Sequence, residues 1–294
     1  LALNTGLDEP LPDQFHRLLE ICASLGDEQP MIRALMEPVT YVMLGDLENA
    51  HVAFRRSLRC PDAWVRATVG LLGGLAAENY GQLDLAERWY ESTIRRFRTL
   101  GDRWGQMMSL NGLGGVRSTR GDIAKAIELH TEALRVETEL GPLSVPTMTI
   151  SRLADQYYRA GDLGRARREH EAALASSLDQ GQQAISAAIR CRLAFVLRAS
   201  GNLAAARAHV TAAYATAAAR PETDDDPMLH WVATTEVHLL AAEGDLVKAR
   251  EIARLSLQSA TRQQIAYLYD AQSIADIAEG LAAVAVADGD LTSA

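Results

Sequence analysis

The sequence predicts an all-α fold: a right-handed superhelical solenoid of helix pairs, in units of about 40 residues. Three observations carry this. A short phrase recurs, GDLENA at Gly45, GQLDLA at Gly81, GDIAKA at Gly121, GDLGRA at Gly161, GNLAAA at Gly201, GDLVKA at Gly244 and GDLTSA at Gly289. The copies are separated by 36, 40, 40, 40, 43 and 45 residues, and a fixed period of that length marks a repeat array. Every copy has alanine five residues after its glycine, from Ala50, Ala86 and Ala126 through Ala166, Ala206, Ala249 and Ala294. Between the glycines, apolar residues recur at spacings of three and four, as in Ile123, Ala126, Ile127, His130, Ala133 and Leu134.

Each unit reads as helix A, a tight Gly-Asp turn, then helix B. Glycine ends helix A by taking the left-handed conformation at no Cβ cost. Asp122 can cap helix B by accepting a backbone N–H. The alanine falls in the first turn of helix B, where helix A crosses closest. Gly74, Gly114, Ala154 and Ala194, each seven residues before its turn glycine, are small for the same reason.

Taken in order, an early helix over about 13–25 reads as the second half of a unit. Helix A is expected over about 30–44, 62–80, 103–120, 143–160, 182–200, 228–243 and 266–288, and helix B over about 46–59, 82–99, 122–140, 162–179, 202–219 and 245–262. The chain 1–294 then divides into a partial unit 1–29, units 30–61, 62–101, 102–141, 142–181, 182–226 and 227–264, and a partial unit 265–294. Asp62 and Asp102 are expected N-caps, and Trp64 and Trp104 are expected to wedge between neighbouring units. The stretch "RPETDDDP" from Arg220 to Pro227 is the one long connection expected, acidic and exposed. Starting at Leu1 and stopping at a turn phrase, the sequence reads as a fragment of a longer protein.

Composition narrows the function. A net charge of −9 opposes a surface that neutralises phosphates, so direct nucleic-acid binding by this segment is not expected. Cys22, Cys60 and Cys191 are scattered, form no metal spacing and suit a reducing cytoplasm. No apolar run is long enough to span a membrane, so no membrane partner is expected.

Chemistry-bearing motifs are missing. No G-x-x-x-x-G-K-[ST] occurs, and "NGLGG" from Asn111 to Gly115 lies in a helical pattern, so close helix packing explains it better than a phosphate cradle. The seven histidines form neither H-x-x-x-H nor H-E-x-x-H, so no metal site is expected. His130 and His170 both stand nine residues after a turn glycine, a packing position. No G-x-S-x-G appears and no cysteine has a nucleophile's setting. The reading is no enzyme, no catalytic residues and no cofactor.

Gly114, Gly121, Ala126 and Ala133 stand where tetratricopeptide repeats carry their small residues, and the chain resembles that family. Tyr41 and Tyr157 keep the family's helix A aromatic, whereas Arg117, Leu197 and Leu240 replace it elsewhere. The longer unit, with "PDAWVRA" and "LGDRWGQMMSLNGLG", resembles the C-terminal arrays of large actinobacterial ATP-dependent regulators of the SARP and LuxR types, similar in layout to the maltose-regulon activator.

The resemblance implies a concave groove lined by helix A. The family's groove positions lie about thirteen, ten, six, three and two residues before the turn glycine. Transferred here they give Glu78 and Asn79, then Met108, Asn111, Ser118 and Thr119. Next come Met148, Ser151, Asp155, Tyr158 and Arg159, then Cys191, Phe195 and Arg198, and last Trp231, Thr234 and His238. Tyr158, Arg159 and Arg198 suit a carboxylate or acidic peptide, and Phe195 and Trp231 an apolar group. The function expected is a sensor or interaction domain of a cytoplasmic transcription regulator. Its partner would be a protein, a peptide or a small effector, and its occupancy would control NTPase and DNA-binding modules of the same polypeptide. The alternatives are a stand-alone scaffold and a peptide-pheromone receptor of the Rap type.

Overall fold

A computed structural model of the chain describes residues 11–25, 29–141, 146–218, 227–262, 278–282 and 284–286. Every regular element among the described residues is helical. In chain order these are α1 (Leu11–Leu25), α2 (Pro30–Met43), α3 (Leu47–Ser57), α4 (Ala63–Asn79), α5 (Leu83–Leu100), α6 (Arg103–Thr119) and α7 (Ile123–Thr138). They continue as α8 (Thr147–Arg159), α9 (Leu163–Asp179), α10 (Gln183–Ala199), α11 (Leu203–Ala218), α12 (Pro227–Glu243) and α13 (Leu246–Arg262). Residues 278–282 and 284–286 are helical as well.

The Gly-Asp turn does two jobs with one residue pair. At Gly121 the backbone is left-handed, with φ of +79°. The Gly121 N–H donates to Ser118 O at 2.9 Å and the Asp122 N–H donates to Arg117 O at 2.9 Å, which closes α6 with a Schellman motif. Asp122 Oδ1 then accepts from Lys125 N at 3.2 Å and starts α7. One helix ends and the next begins without a spare residue. Asp46, Asp162, Asn202 and Asp245 repeat the arrangement, each accepting from the N–H three residues on. At Gln82 no side chain caps α5.

A second series of turn glycines stands between α5 and α6, α7 and α8, and α9 and α10. Gly101, Gly141 and Gly181 have φ of +70°, +74° and +66°. They interleave with the first series, so from Gly81 to Gly201 a left-handed glycine stands every 20 residues. Asp62 and Asp102 cap α4 and α6 as expected, accepting from Val65 N and Gly105 N at 2.8 and 2.9 Å.

The pairs close on the predicted small residues. Ala86, Ala126, Ala166, Ala206 and Ala249 are fully buried. The glycines of α6 admit rings against their backbone: a Cβ on Gly112 would lie 2.3 Å from Tyr90 Cζ, and one on Gly114 would lie 2.7 Å from His130 Cε1. "NGLGG" is thus a packing surface for α5 and α7. Tyr90, Phe97, His130 and His170 are among the largest fully buried side chains.

Each helix A touches its own helix B, and also the helix A of the next unit: α2 meets α4, α4 meets α6, α6 meets α8, α8 meets α10 and α10 meets α12. Among the described residues, successive B helices lack comparable contact. Units held closer on the A side bend the array towards that side, so the A helices line the inner, concave face.

One expectation needs correction, and parts of others lie outside the described residues. Helix α8 runs from Thr147 to Arg159 with Pro146 at its N-cap, and residues 143–145 of the expected helix lie outside the described residues. Trp64 and Trp104 do not wedge between units. They are 41% and 47% exposed, and Trp64 ties neighbouring units from outside by donating its indole N–H to Asp102 Oδ2 at 2.5 Å. The acidic stretch 220–226, the start of the last helix A (266–277) and the final turn phrase at Gly289 lie outside the described residues.

Candidate functional site

A cavity of about 380 Å³ opens on the concave face between α8, α10 and α12. That volume falls in the range of small-ligand pockets, roughly 300–1,000 Å³. Helix α8 contributes Asp155, Tyr158 and Arg159. Helix α10 contributes Ala188, Cys191, Arg192, Phe195 and Arg198, and α12 contributes Trp231, Thr234, Thr235 and His238. Glu279, from the last described helical stretch, completes the rim.

The same register builds each wall. Asp155, Phe195 and His238 each stand six residues before a turn glycine, and Ala188 and Trp231 stand thirteen before. The period thus brings three residue types to one place: an acid, a phenyl ring and an imidazole. The Phe195 and His238 rings meet edge to face, with centroids 5.1 Å apart and planes at 64°. The Arg198 guanidinium lies 5.7 Å from the Phe195 centroid, within reach of the ring's negative face. Asp155 on α8 forms an ion pair with Arg192 on α10. Its other oxygen, Oδ1, lies 3.2 Å from His170 Nε2 on α9.

Nine of the seventeen groove residues expected from the sequence line this cavity: Asp155, Tyr158, Arg159, Cys191, Phe195, Arg198, Trp231, Thr234 and His238. Glu78, Asn79 and Asn111 do not join them. Glu78 accepts from the Tyr90 hydroxyl at 2.7 Å, and Asn79 beside it is half-buried. Asn111 is buried between units, where its amide oxygen meets His130 Nδ1 at 3.0 Å and its amide N–H donates to Thr149 Oγ1 at 3.0 Å. The position ten before the glycine is buried at Asn111, Ser151, Cys191 and Thr234 alike, so it serves packing first.

Arg192, Thr235 and Glu279 escaped the sequence reading for two reasons. Arg192 and Thr235 stand nine before their glycines, an offset outside the transferred set. Glu279 stands ten before Gly289, so carrying the same rule to the last copy finds it.

Burial pushes the Cys191 thiol up to about 11, so it is not a thiolate at neutral pH. Burial lowers His130 to about 3 and His170 to about 4, which keeps both neutral as packed, hydrogen-bonded rings. No group of three or more His, Cys, Asp and Glu side chains is gathered as metal ligands among the described residues. Among them, no helix is long and apolar enough to cross a membrane.

Helix pairs turning on glycine, closed on alanine and stacked with their A helices inward define a tetratricopeptide-repeat-like α-solenoid. No family model and no curated protein matches the chain. Solved structures do. A Rap protein complexed with competence and sporulation factor is 15% identical with a TM-score of 0.73, over 96% of this chain and 76% of that one. A signal-transduction ATPase with numerous domains, carrying a tetratricopeptide repeat sensor, from Pyrococcus horikoshii is 14% identical with a TM-score of 0.63. That match covers 95% of this chain and 41% of the ATPase. BtubC from P. vanneervenii is 23% identical with a TM-score of 0.59, over 72% of this chain and 93% of that one. At these identities the likeness speaks for the fold.

Proposed function

We propose that the chain is a non-catalytic interaction module that holds a peptide or protein segment in its concave groove, centred on the cavity between α8, α10 and α12. The observation that carries this reading is the convergence of Asp155, Phe195 and His238, at one repeat offset, on a single ligand-sized cavity. The Rap conjugation gene regulator of the plasmid pLS20, solved in complex with the Phr* peptide, supports a peptide as occupant of a solenoid of this kind. The ATPase with a repeat sensor supports a regulatory setting.

In the whole protein we place the module in a cytoplasmic transcription regulator with NTPase and DNA-binding modules. A solenoid has only nearest-neighbour contacts, so its pitch changes at low cost. A ligand that binds one pitch better than another shifts the population towards it. A small effector that fits the cavity would act in the same way.

The test is selection of a displayed random-peptide library on the purified chain. Selected peptides are expected to bind wild type and to lose most of their affinity for Phe195→Ala and Trp231→Ala. Peptides that bind all three proteins equally would place recognition elsewhere. Limited proteolysis of the full-length regulator, with and without a selected peptide, then tests the coupling; an unchanged cleavage pattern counts against it.

A further inference from the structure

We propose that Asp155 is a resident carboxylate occupying the anion position of the cavity, and that the ligand it yields to is a carboxylate joined to an aromatic or large apolar group. This rests on the cavity being the ligand site and names the chemistry of its occupant.

Charge is the first argument. The cavity's arginines, Arg159, Arg192 and Arg198, outnumber its carboxylates, Asp155 and Glu279, by three to two. The chain as a whole carries −9, so this spot runs against the field of the molecule. A cationic ligand would have to approach three guanidiniums to reach a carboxylate that Arg192 already holds. An anionic one meets a cation excess.

Geometry is the second. Arg192, Phe195 and Arg198 stand three residues apart on α10, a spacing that stacks side chains on one helix face. The face therefore reads cation, ring, cation. Trp231 and His238 extend the apolar wall from α12. A carboxylate on Arg192 sets an attached ring against Phe195 and Trp231. Arginine suits the task because its planar fork pairs with carboxylates through two parallel N–H donors.

The third argument is that Asp155 is placed to let go. Its side chain is 21% exposed and that of Arg192 is 35% exposed, so the pair lies at the cavity surface and not in the sealed core. Asp155 also keeps a second neighbour, His170 Nε2 at 3.2 Å, when Arg192 turns to a ligand. The exchange severs a charge link between α8 and α10, which belong to successive units. Ligand binding thereby reaches a contact between successive units.

The experiment compares two probes, N-acetyl-phenylalanine and its neutral amide, titrated by NMR into wild type, Asp155→Asn and Arg192→Gln, each first checked for an unchanged helical melt. The acid is expected to bind wild type about tenfold better than the amide, the scale of one charge-assisted pair. Asp155→Asn removes the competitor and is expected to raise acid affinity several-fold and to widen the preference for the acid over the amide. Arg192→Gln is expected to abolish the preference. Equal binding of both probes, no binding of either, or weaker acid binding by Asp155→Asn overturns the proposal. If library-selected peptides still depend on Phe195 and Trp231, the binding reading survives that result; if they do not, both fall.

Discussion

Phe195 and His238 come from successive units, 43 residues apart in sequence, yet their rings meet edge to face with centroids 5.1 Å apart. The contact ties α10 to α12 at the centre of the concave cavity. Such pairs contribute about 0.5–1.5 kcal/mol beyond the area they bury. A double-mutant cycle with Phe195→Ala and His238→Ala, followed by urea denaturation, is expected to return a coupling of that size. Additive losses would show that the two rings do not support each other.

Two glycine substitutions should act in opposite directions. Gly114→Ala puts a methyl 2.7 Å from His130 Cε1, inside a packed helix pair, and is expected to destabilise by about 1–3 kcal/mol. Gly164→Ala lies in α9, where the nearest atoms to the new methyl are side-chain atoms at 3.7 Å or beyond. It is expected to stabilise by about 0.5–1 kcal/mol through helix propensity. Chemical denaturation of both variants decides the matter, and a like sign for the two would refute the packing argument.

The turn at Gly81 lacks the cap found at its counterparts. Gln82 makes no side-chain capping bond, whereas Asp122 and Asp162 each accept from the N–H three residues on. Gln82→Asp is expected to raise stability by about 1 kcal/mol, and Asp122→Ala to lower it by a similar amount. Thermal melts of the two variants should move to opposite sides of wild type.

Acid should weaken the array through its neutral histidines. Burial, with Arg152 and Arg192 adding repulsion, lowers His130 to about 3; burial lowers His170 to about 4, against a small opposing pull from Glu169. Both folded values lie below the unfolded one of about 6.5, so the unfolded chain takes up protons first as pH falls. The contribution is therefore intact above pH 6.5 and declines as pH drops from there towards 4, by up to about 1.4 kcal/mol per pH unit for each histidine. His170→Leu is expected to flatten the slope between pH 6.5 and 4 relative to wild type. A slope unchanged by the substitution would assign the acid sensitivity to the carboxylates instead.

Most of the fold was legible because its turns use residues with few physical substitutes. A left-handed position at Gly121 and a buried contact at Ala126 each admit almost no other side chain, so the period survives in the letters. The second glycine series, at Gly101, Gly141 and Gly181, was equally legible at half the period, but it lacks a shared phrase after the glycine. The site was legible only in part. In the units of α8, α10 and α12 the transferred offsets found Asp155, Phe195, His238, Tyr158, Arg198 and Arg159, whereas in earlier units the same offsets gave Glu78, Asn79 and Asn111, which do not line the cavity. Spacing says which residues share a helix face. It does not say which edge of that face a neighbouring unit will cover.

The sequence alone determined where the chain turns, which residues touch across each helix pair, and that the array is built by repetition. These are local matters, settled by a missing Cβ, a capping carboxylate and a 3.6-residue helical turn. Tertiary structure alone decided that Asn111 turns inward to His130 and Thr149, that Arg192 reaches across to Asp155, and that one cavity forms where α8, α10 and α12 meet. Each helix A packs on its own helix B, on the helix B before it and on neighbouring A helices. How far these press against it depends on the bulk of side chains some 20 to 40 residues away, which no local window of sequence contains.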